Sequence, residues 1–391
     1  MPLAVLDIDI DAVPDRLVLR PGEDGAVILL RINGVPCGQA VLWATDLQTA
    51  SSLRELIMRS ANSSFWECWL DRELGQPQPV PNAGELPTAT VAVCTRERPD
   101  DLFNCLAGLV AMPGEPDILV IDNAPASDAT QQVVAAFPGV RYVVEPRPGL
   151  DFARNAAMHH SRGEIVAFTD DDAVPDRLWL QTLLRNFEDP LVMAACGLTM
   201  ALELETDAQI AFQREGGFGR GFKRFAHDAV TTDPFESWKA GAGVSIAVRR
   251  SVMDLVGEFD PALGAGMPSM AGDETDLFRR LLAAGYRIQY DPTALNWHRH
   301  RRSMDELKRQ IHGYERGAFA LYAKILFQER NPRVILHVLR WLRHHVSFVL
   351  DTMLEGRPAH LPFSIAYAQT CGAWLGPWAY WRSCARVRKL R

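Results

Sequence analysis

Between residues 88 and 187 short apolar runs alternate with amphipathic segments, and that alternation constrains the fold more than any other feature. "TATVAVCT", "DILVIDN", "VRYVVE" and "EIVAFTDDD" have strand length and apolar, largely β-branched cores. "PDDLFNCLAGLVAM", "SDATQQVVAAF", "GLDFARNAAMHHS" and "PDRLWLQTLLRNF" follow them with apolar positions at helical spacing, the first with a proline suited to its opening turn. Strand and helix in this rhythm predict an α/β fold, a mostly parallel sheet covered by helices. Ligands of such sheets bind outside the carboxyl ends of the strands.

Polar residues collect at those ends. Thr95, Arg96 and Arg98 follow the first strand, Asp122 and Asn123 end the second, and Asp170, Asp171 and Asp172 end the fourth. Any one of them is a common turn or cap residue. Three such groups at the ligand-binding face read as a site. Consecutive carboxylates repel, and a cation relieves the repulsion: Asp-x-Asp at a strand end suits a hard divalent ion, Mg2+ or Mn2+, shared with a substrate phosphate. Arg98 and Arg154 offer planar forks for phosphate or carboxylate, and Asp122 an acceptor for a base or ribose. The set points to a nucleotide diphosphate held through its metal.

A second cluster lies about a hundred residues on. In "GAGMPSMAGDETDLFRRLLAAGYRIQYDPTALNWHRHRRS" glycines and a proline predict a flexible loop as far as Gly272. Asp273 and Glu274 then open a helix whose apolar face is Leu277, Phe278, Leu281 and Leu282, closed by Gly285. Acids in a first turn complement the helix dipole; a catalytic carboxylate would stand in the same place. His298 and His300 share a face if extended, and one imidazole can complete a carboxylate-bound Mn2+ site.

Composition narrows the remaining classes. The net charge of -7 excludes a general nucleic-acid binder. Seven cysteines without a CxxC pair fit neither a zinc site nor a disulfide framework, and read as thiols in a reducing cytoplasm. "MPLAVLDIDIDAVPD" lacks the basic n-region of a secretory signal. Residues 1–85 are expected to form a small β-rich module with a helix from about Ser51 to Leu74, followed by a Pro/Gly-rich linker. Residues 86–303 form the α/β domain and residues 304–391 a helical extension. From Leu361 to Trp381 no side chain is charged, but Pro362, Gly372, Gly376 and Pro377 suit a bilayer span poorly. Tryptophans beside the basic tail "RSCARVRKLR" suit the interface of an anionic membrane, so peripheral contact at its inner face is the alternative to a plain helical cap.

Taken in order, "VCTRERPDDLFNCL", "VIDNAPASDAT", "PGLDFARNAA", "GEIVAFTDDDAVPD", "GAGVSIAVRRSVMDLVGEFDPALGAG", "GDETDLFRRLLAAGYRIQYDP" and "WHRHR" resemble the family 2 inverting glycosyltransferases of GT-A fold, over about Thr88 to Arg316. The resemblance implies that Thr95, Arg98, Asp122, Asn123 and Arg154 line a nucleotide-sugar pocket. It makes Asp172 the principal metal ligand, with Asp170 nearer the nucleotide, Asp171 between them, and His298 the downstream metal histidine. The family's Glu-Asp pair stands here as Asp273-Glu274, with the second member in the role of base. Ser245 replaces a frequent Asn, which bears on acceptor contacts. The implied activity is inverting transfer from a nucleotide-diphosphate sugar, UDP being the commonest base, to a hydroxyl of a glycan, lipid carrier, peptide or small metabolite. A nucleotidyltransferase would want a Gly-rich phosphate loop that "CTRERPD" lacks. A non-catalytic sugar-nucleotide or glycan-binding relative is opposed by the intact DxD, acidic pair and histidine.

Overall fold

A computed structural model describes residues 2–49, 52–76, 86–354 and 363–390; most of the expected linker at 75–87 and the first two residues of the charge-free C-terminal segment lie outside them. The chain opens with β1 (Leu3–Asp9), β2 (Gly25–Ile32) and β3 (Val35–Trp43), paired in that order. Asn33 and Gly34 both take positive φ, 52° and 77°, as a tight hairpin of this hand requires. Then come α1 (Ala44–Thr49), α2 (Leu53–Ser60) and α3 (Ser63–Glu73). The single helix expected at 51–74 is therefore broken. Asn62 leaves the helical path to cap α3, its side-chain oxygen accepting from Phe65 N–H, while its own N–H donates to Gln39 on β3.

The α/β unit runs β4 (Ala89–Thr95), α4 (Pro99–Val110), β5 (Asp117–Asn123), α5 (Ala129–Ala135), β6 (Arg141–Glu145), α6 (Leu150–His160), β7 (Ile165–Asp170), β8 (Ala173–Pro175) and α7 (Trp179–Arg185). It continues through β9 (Val192–Ala201), α8 (Asp207–Arg214), β10 (Phe225–His227), β11 (Ser245–Arg249), α9 (Val252–Leu255), α10 (Asp273–Ala283) and β12 (Arg287–His298). The extension is α11 (Met304–Phe327), α12 (Val334–Leu354) and α13 (Phe363–Leu390). Among the described residues the sheet order is β10-β12-β9-β11-β7-β4-β5-β6, with β8 pairing β12. Strands β7, β4, β5 and β6 are mutually parallel as expected, and β11 enters antiparallel between β7 and β9.

Burial on both faces explains the continuous apolar runs. In β4 and β5, Ala92, Leu119 and Ile121 face α6 and α10, while Val91, Val93, Ile118 and Val120 face α4, α5 and α7. Strand β2 works the same way. Ile28 and Leu30 pack under its own helices, whereas Val27 and Leu29 pack on Ala201, Leu204, Leu198 and Leu295 of the main domain. Arg31 adds ion pairs to Asp7 and, across that junction, to Asp176, each at 2.7 Å. Helix α13 lies close along α11. A Cβ at Gly372 would come within 2.4 Å of the His312 carbonyl oxygen, and one at Gly376 within 2.4 Å of Phe319 Cβ. All seven cysteines are free thiols, and among the described residues no helix is long and apolar enough to cross a membrane.

Candidate active site

Strand register assembles the first half of the site. Thr95 lies opposite Asp122, and Cys94 opposite Asp170, so these strand ends share one edge of the sheet. After Asp170 the chain turns and enters β8, where Ala173 pairs with His298. That pairing carries Asp172 to the imidazole, with Oδ1 3.0 Å from Nε2, and Asp170 Oδ2 lies 3.9 Å from the same nitrogen. One ligand atom from each of Asp170, Asp172 and His298 falls within 4.8 Å of the others.

Two carboxylates and one imidazole are a donor set for Mn2+ or Mg2+. Asp170 is 40% exposed, which leaves room for outside ligands. The electrostatics fit as well. Burial pushes the Asp170 carboxyl up, and the charge of Asp172 pushes it further. Burial acts on Asp172 in the same sense, but the His298 hydrogen bond and the His298, Arg98 and Arg301 charges outweigh it and hold it below the ordinary range. The charges of His298, Arg154 and Arg98 oppose the rise at Asp170, and a divalent cation bound between the two carboxylates would favour the ionised form of both.

Asp171 turns inward. It accepts from the Thr95 hydroxyl at 2.7 Å and from Arg98 at 3.1 Å, and burial pushes its carboxyl up to about 6. Thr95 and Asp171 therefore lock the turn that presents Asp170 and Asp172, with Arg98 bridging to Asp172 at 3.1 Å. Arg301, which the sequence reading passed over, stands 3.6 Å from Asp172.

Around Asp122 and Asn123 the backbone is shaped tightly. The Tyr142 hydroxyl donates to Asp122 Oδ2 at 2.7 Å, while Oδ1, buried, has no partner. Asn123 donates to the Arg147 carbonyl at 2.8 Å and accepts from Gly149 N–H at 2.9 Å, fixing the loop that leads into α6. Glu97 and Ala124 take left-handed conformations, with φ of 54° and 49°. Glu97 is held there by accepting from the backbone of Ala126 and Ser127. Non-glycine residues persist in this region only where surrounding contacts enforce it, as at ligand sites.

The second half is acidic. Asp273 and Glu274 occupy the first turn of α10 and meet Arg154 from α6: Asp273 makes a buried ion pair with it, and Glu274 Oε2 lies 4.0 Å away. Their exposures separate their roles, 5% for the Asp273 side chain and 25% for Glu274. Burial, and then the charge of Asp273, push the Glu274 carboxyl up to about 8. Asp151 belongs here too. Both its carboxylate oxygens are buried without a hydrogen-bond partner, Oδ1 lying 4.0 Å from the Arg154 guanidinium, and burial followed by the charge of Asp273 holds its proton affinity well above the ordinary range. In sequence it is one more acid in a first helical turn, which hides it.

Two expectations change. The loop before Asp273, predicted flexible, is pinned: Leu263 and Met267 pack with Leu321, Tyr380 and Val387. Tyr380 donates to Asp260 at 3.2 Å, and Ser383 Oγ accepts from Ser269 N–H at 3.2 Å. Apolar residues between the glycines supply that anchorage, so the segment is a fixed wall. Ser245 faces the core, accepting from the Trp179 indole at 2.8 Å, and so does not bear on acceptor contacts as expected. His300 lies among Phe212 and Phe218, bonded to Gln213, and burial, with His298 nearby, pushes its pKa down to about 3.

Residues 90–236 match the family model described as Glycosyl transferase family 2, and the sheet described above is the GT-A fold that such a domain implies. The matched segment ends before Asp273, Glu274 and His298. The chain is 27% identical over 238 residues to the pre-mycofactocin glycosyltransferase of Mycobacterium tuberculosis, covering 59% of this chain and 47% of that protein. It is 28% identical over 214 residues to the succinoglycan biosynthesis protein ExoM of Rhizobium meliloti, 52% of this chain and 64% of the relative. An N-acetylglucosaminyltransferase of Sinorhizobium fredii is 27% identical over 227 residues, 56% of this chain and 54% of its own length. The chain thus spans about half to two thirds of the curated relatives it matches.

Proposed function

We propose, from the match of residues 90–236 to the Glycosyl transferase family 2 model, that the chain moves a sugar from a nucleotide-diphosphate sugar to an acceptor hydroxyl with inversion at the anomeric carbon. The observation that carries this reading is the convergence of Asp170, Asp172 and His298 within 4.8 Å at the carboxyl edge of the sheet. In it residues 86–303 are the catalytic domain, 1–85 an N-terminal module and 304–391 a helical extension. Asp170, Asp172 and His298 hold Mn2+ or Mg2+, which when bound supplies positive charge against the leaving diphosphate. Asp122, through its unpartnered Oδ1, accepts from the base or ribose of a donor taken to be a UDP-sugar. Asn123 and Thr95 shape that pocket, and Arg98 fixes Asp171 and Asp172.

Glu274 takes the proton from the acceptor hydroxyl as that oxygen attacks opposite the leaving group. A carboxylate with raised proton affinity is the stronger base. Asp273, enclosed and committed to Arg154, orients the guanidinium and raises the basicity of Glu274 through its charge. One displacement inverts the centre, so no enzyme nucleophile is needed. A glycan, a lipid carrier, a peptide or a small metabolite can each supply the hydroxyl.

The test is a thermal-shift panel of UDP, GDP, dTDP and CDP, each with and without Mn2+ or Mg2+. Stabilisation by one nucleotide only with metal present is expected and identifies the base. No response from folded protein to any pair would overturn the donor site.

A further inference from the structure

Helix α13 has two faces of opposite character. One face is buried: Gly372, Gly376, Tyr380 and Val387 pack on α11 and on the wall before Asp273. The other bears Tyr367, Trp374, Trp378 and Trp381, exposed by 64, 79, 49 and 67%. At 100° per residue these four fall within about 60° of arc, one aromatic stripe along the helix. Arg382 lies 4.6 Å from the Trp378 ring centroid, and Arg388 and Lys389 are exposed one to two turns further on. Helix α12 repeats the pattern with aliphatics. Ile335, Leu339, Leu342 and Val346, spaced four, three and four, are about half exposed beside Arg340 and Arg343.

Charge identifies the occupant. Residues 331–391 hold nine arginines and lysines and two acids, although the whole chain is at -7. A second copy seated symmetrically on α13 would bring these cations together without acids to neutralise them. Indole and phenol rings interleaved with snorkelling cations match the depth profile of a lipid headgroup region, whose anionic phosphates complement the charge. We propose that α13, assisted by α12, lies on an anionic bilayer surface with the aromatic stripe at headgroup level. The helix rests on the surface and does not span it, in keeping with its interior proline and with the absence of a span-length apolar helix among the described residues.

The experiment is flotation of the full chain with phosphatidylglycerol–phosphatidylcholine vesicles and with pure phosphatidylcholine, at low and high salt. Wild type should float with the anionic vesicles and much less with the neutral ones, and salt should weaken the interaction. Replacing Trp374, Trp378 and Trp381 together by serine should abolish flotation. Replacing Arg382, Arg388 and Lys389 by glutamine should weaken it on the order of a hundredfold, at roughly fivefold per cation. These side chains are exposed, so an unchanged Tm in both variants verifies the fold. Failure of wild type to float at low salt, or undiminished flotation of both variants, overturns the proposal. So does a wild-type dimer in light scattering that the serine variant converts to monomer, which would make the stripe an interface between copies.

Discussion

Replacing Glu274 by glutamine should separate stability from catalysis. In the folded protein burial and the neighbouring Asp273 charge raise its carboxyl from the ordinary 4.5 to about 8. A carboxyl raised in this way takes up a proton on folding between those values. Stability is therefore greatest at or below about pH 4.5 and falls as pH rises through the window. Each pH unit is worth at most about 1.4 kcal/mol, so by pH 7 the ceiling is roughly 3 kcal/mol. The side chain is 25% exposed and lies 4.0 Å from Arg154, and both features soften the penalty, so about 1–2 kcal/mol is the working magnitude. Glutamine keeps the shape and never ionises. The variant should match wild type near pH 4.5 and melt higher by a few degrees near pH 8, while transfer falls about 10²- to 10⁴-fold as the base is lost. Wild-type transfer should rise with pH towards about 8, as the carboxylate forms. Melting curves across pH, with a donor-consumption assay on the same samples, read both effects. A glutamine variant that melts lower at pH 8, or by the same margin at every pH, would refute the electrostatic account. Full transfer activity would move the base to Asp273.

Asp172→Ala should abolish transfer and remove the metal-dependent part of nucleotide stabilisation, which Glu274→Gln should retain; the thermal-shift panel distinguishes them. Asp276→Ala should cost about 3–5 kcal/mol in urea unfolding, because the fully buried carboxylate pairs Lys324 at 2.9 Å, Arg280 at 2.9 Å and Arg279 at 3.1 Å. Gly317→Ala places a Cβ 2.5 Å from the Ala271 backbone. It should therefore displace α11 or the wall before Asp273, costing about 1–3 kcal/mol and lowering kcat more than it raises the KM for donor; melting curves and steady-state kinetics test both.

The parts of this molecule legible in the sequence are those governed by one local rule. Strands β4, β5 and β7 are buried on both faces, so each reads as an unbroken apolar run, and helices α4 and α5 keep a single buried stripe. The strand-end polar residues followed from that topology. What escaped depended on pairing between distant segments. Strand β8 has three residues and no pattern of its own, yet its register with β12 joins Asp172 to His298. Strand β11 is as apolar as its neighbours, and nothing local marks it as antiparallel. The wall from Asp260 to Gly272 has the composition of a flexible loop, and its anchors, Tyr380 and Ser383, lie more than a hundred residues away.

Those distant anchors bear on how the acidic half of the site is sustained. Asp151, Asp273 and Glu274 face a single buried cation, Arg154, and two of the three carboxyls are pushed towards protonation. Such a cluster favours loosening, since any opening that admits water relieves it. Lys324 opposes this from α11, joining Asp260 at 2.8 Å and Asp276 at 2.9 Å, and so ties the start of the wall and the first turn of α10 to one helix. Helix α13 then clamps the wall's outer side through Tyr380, Ser383 and Arg386, whose guanidinium donates to the Gly266 carbonyl at 3.3 Å. The helical extension thus braces the wall beside Glu274, whose partly enclosed, acidic surroundings raise its proton affinity. A domain trimmed to the sheet and its covering helices would hold the same acids with less to keep them together.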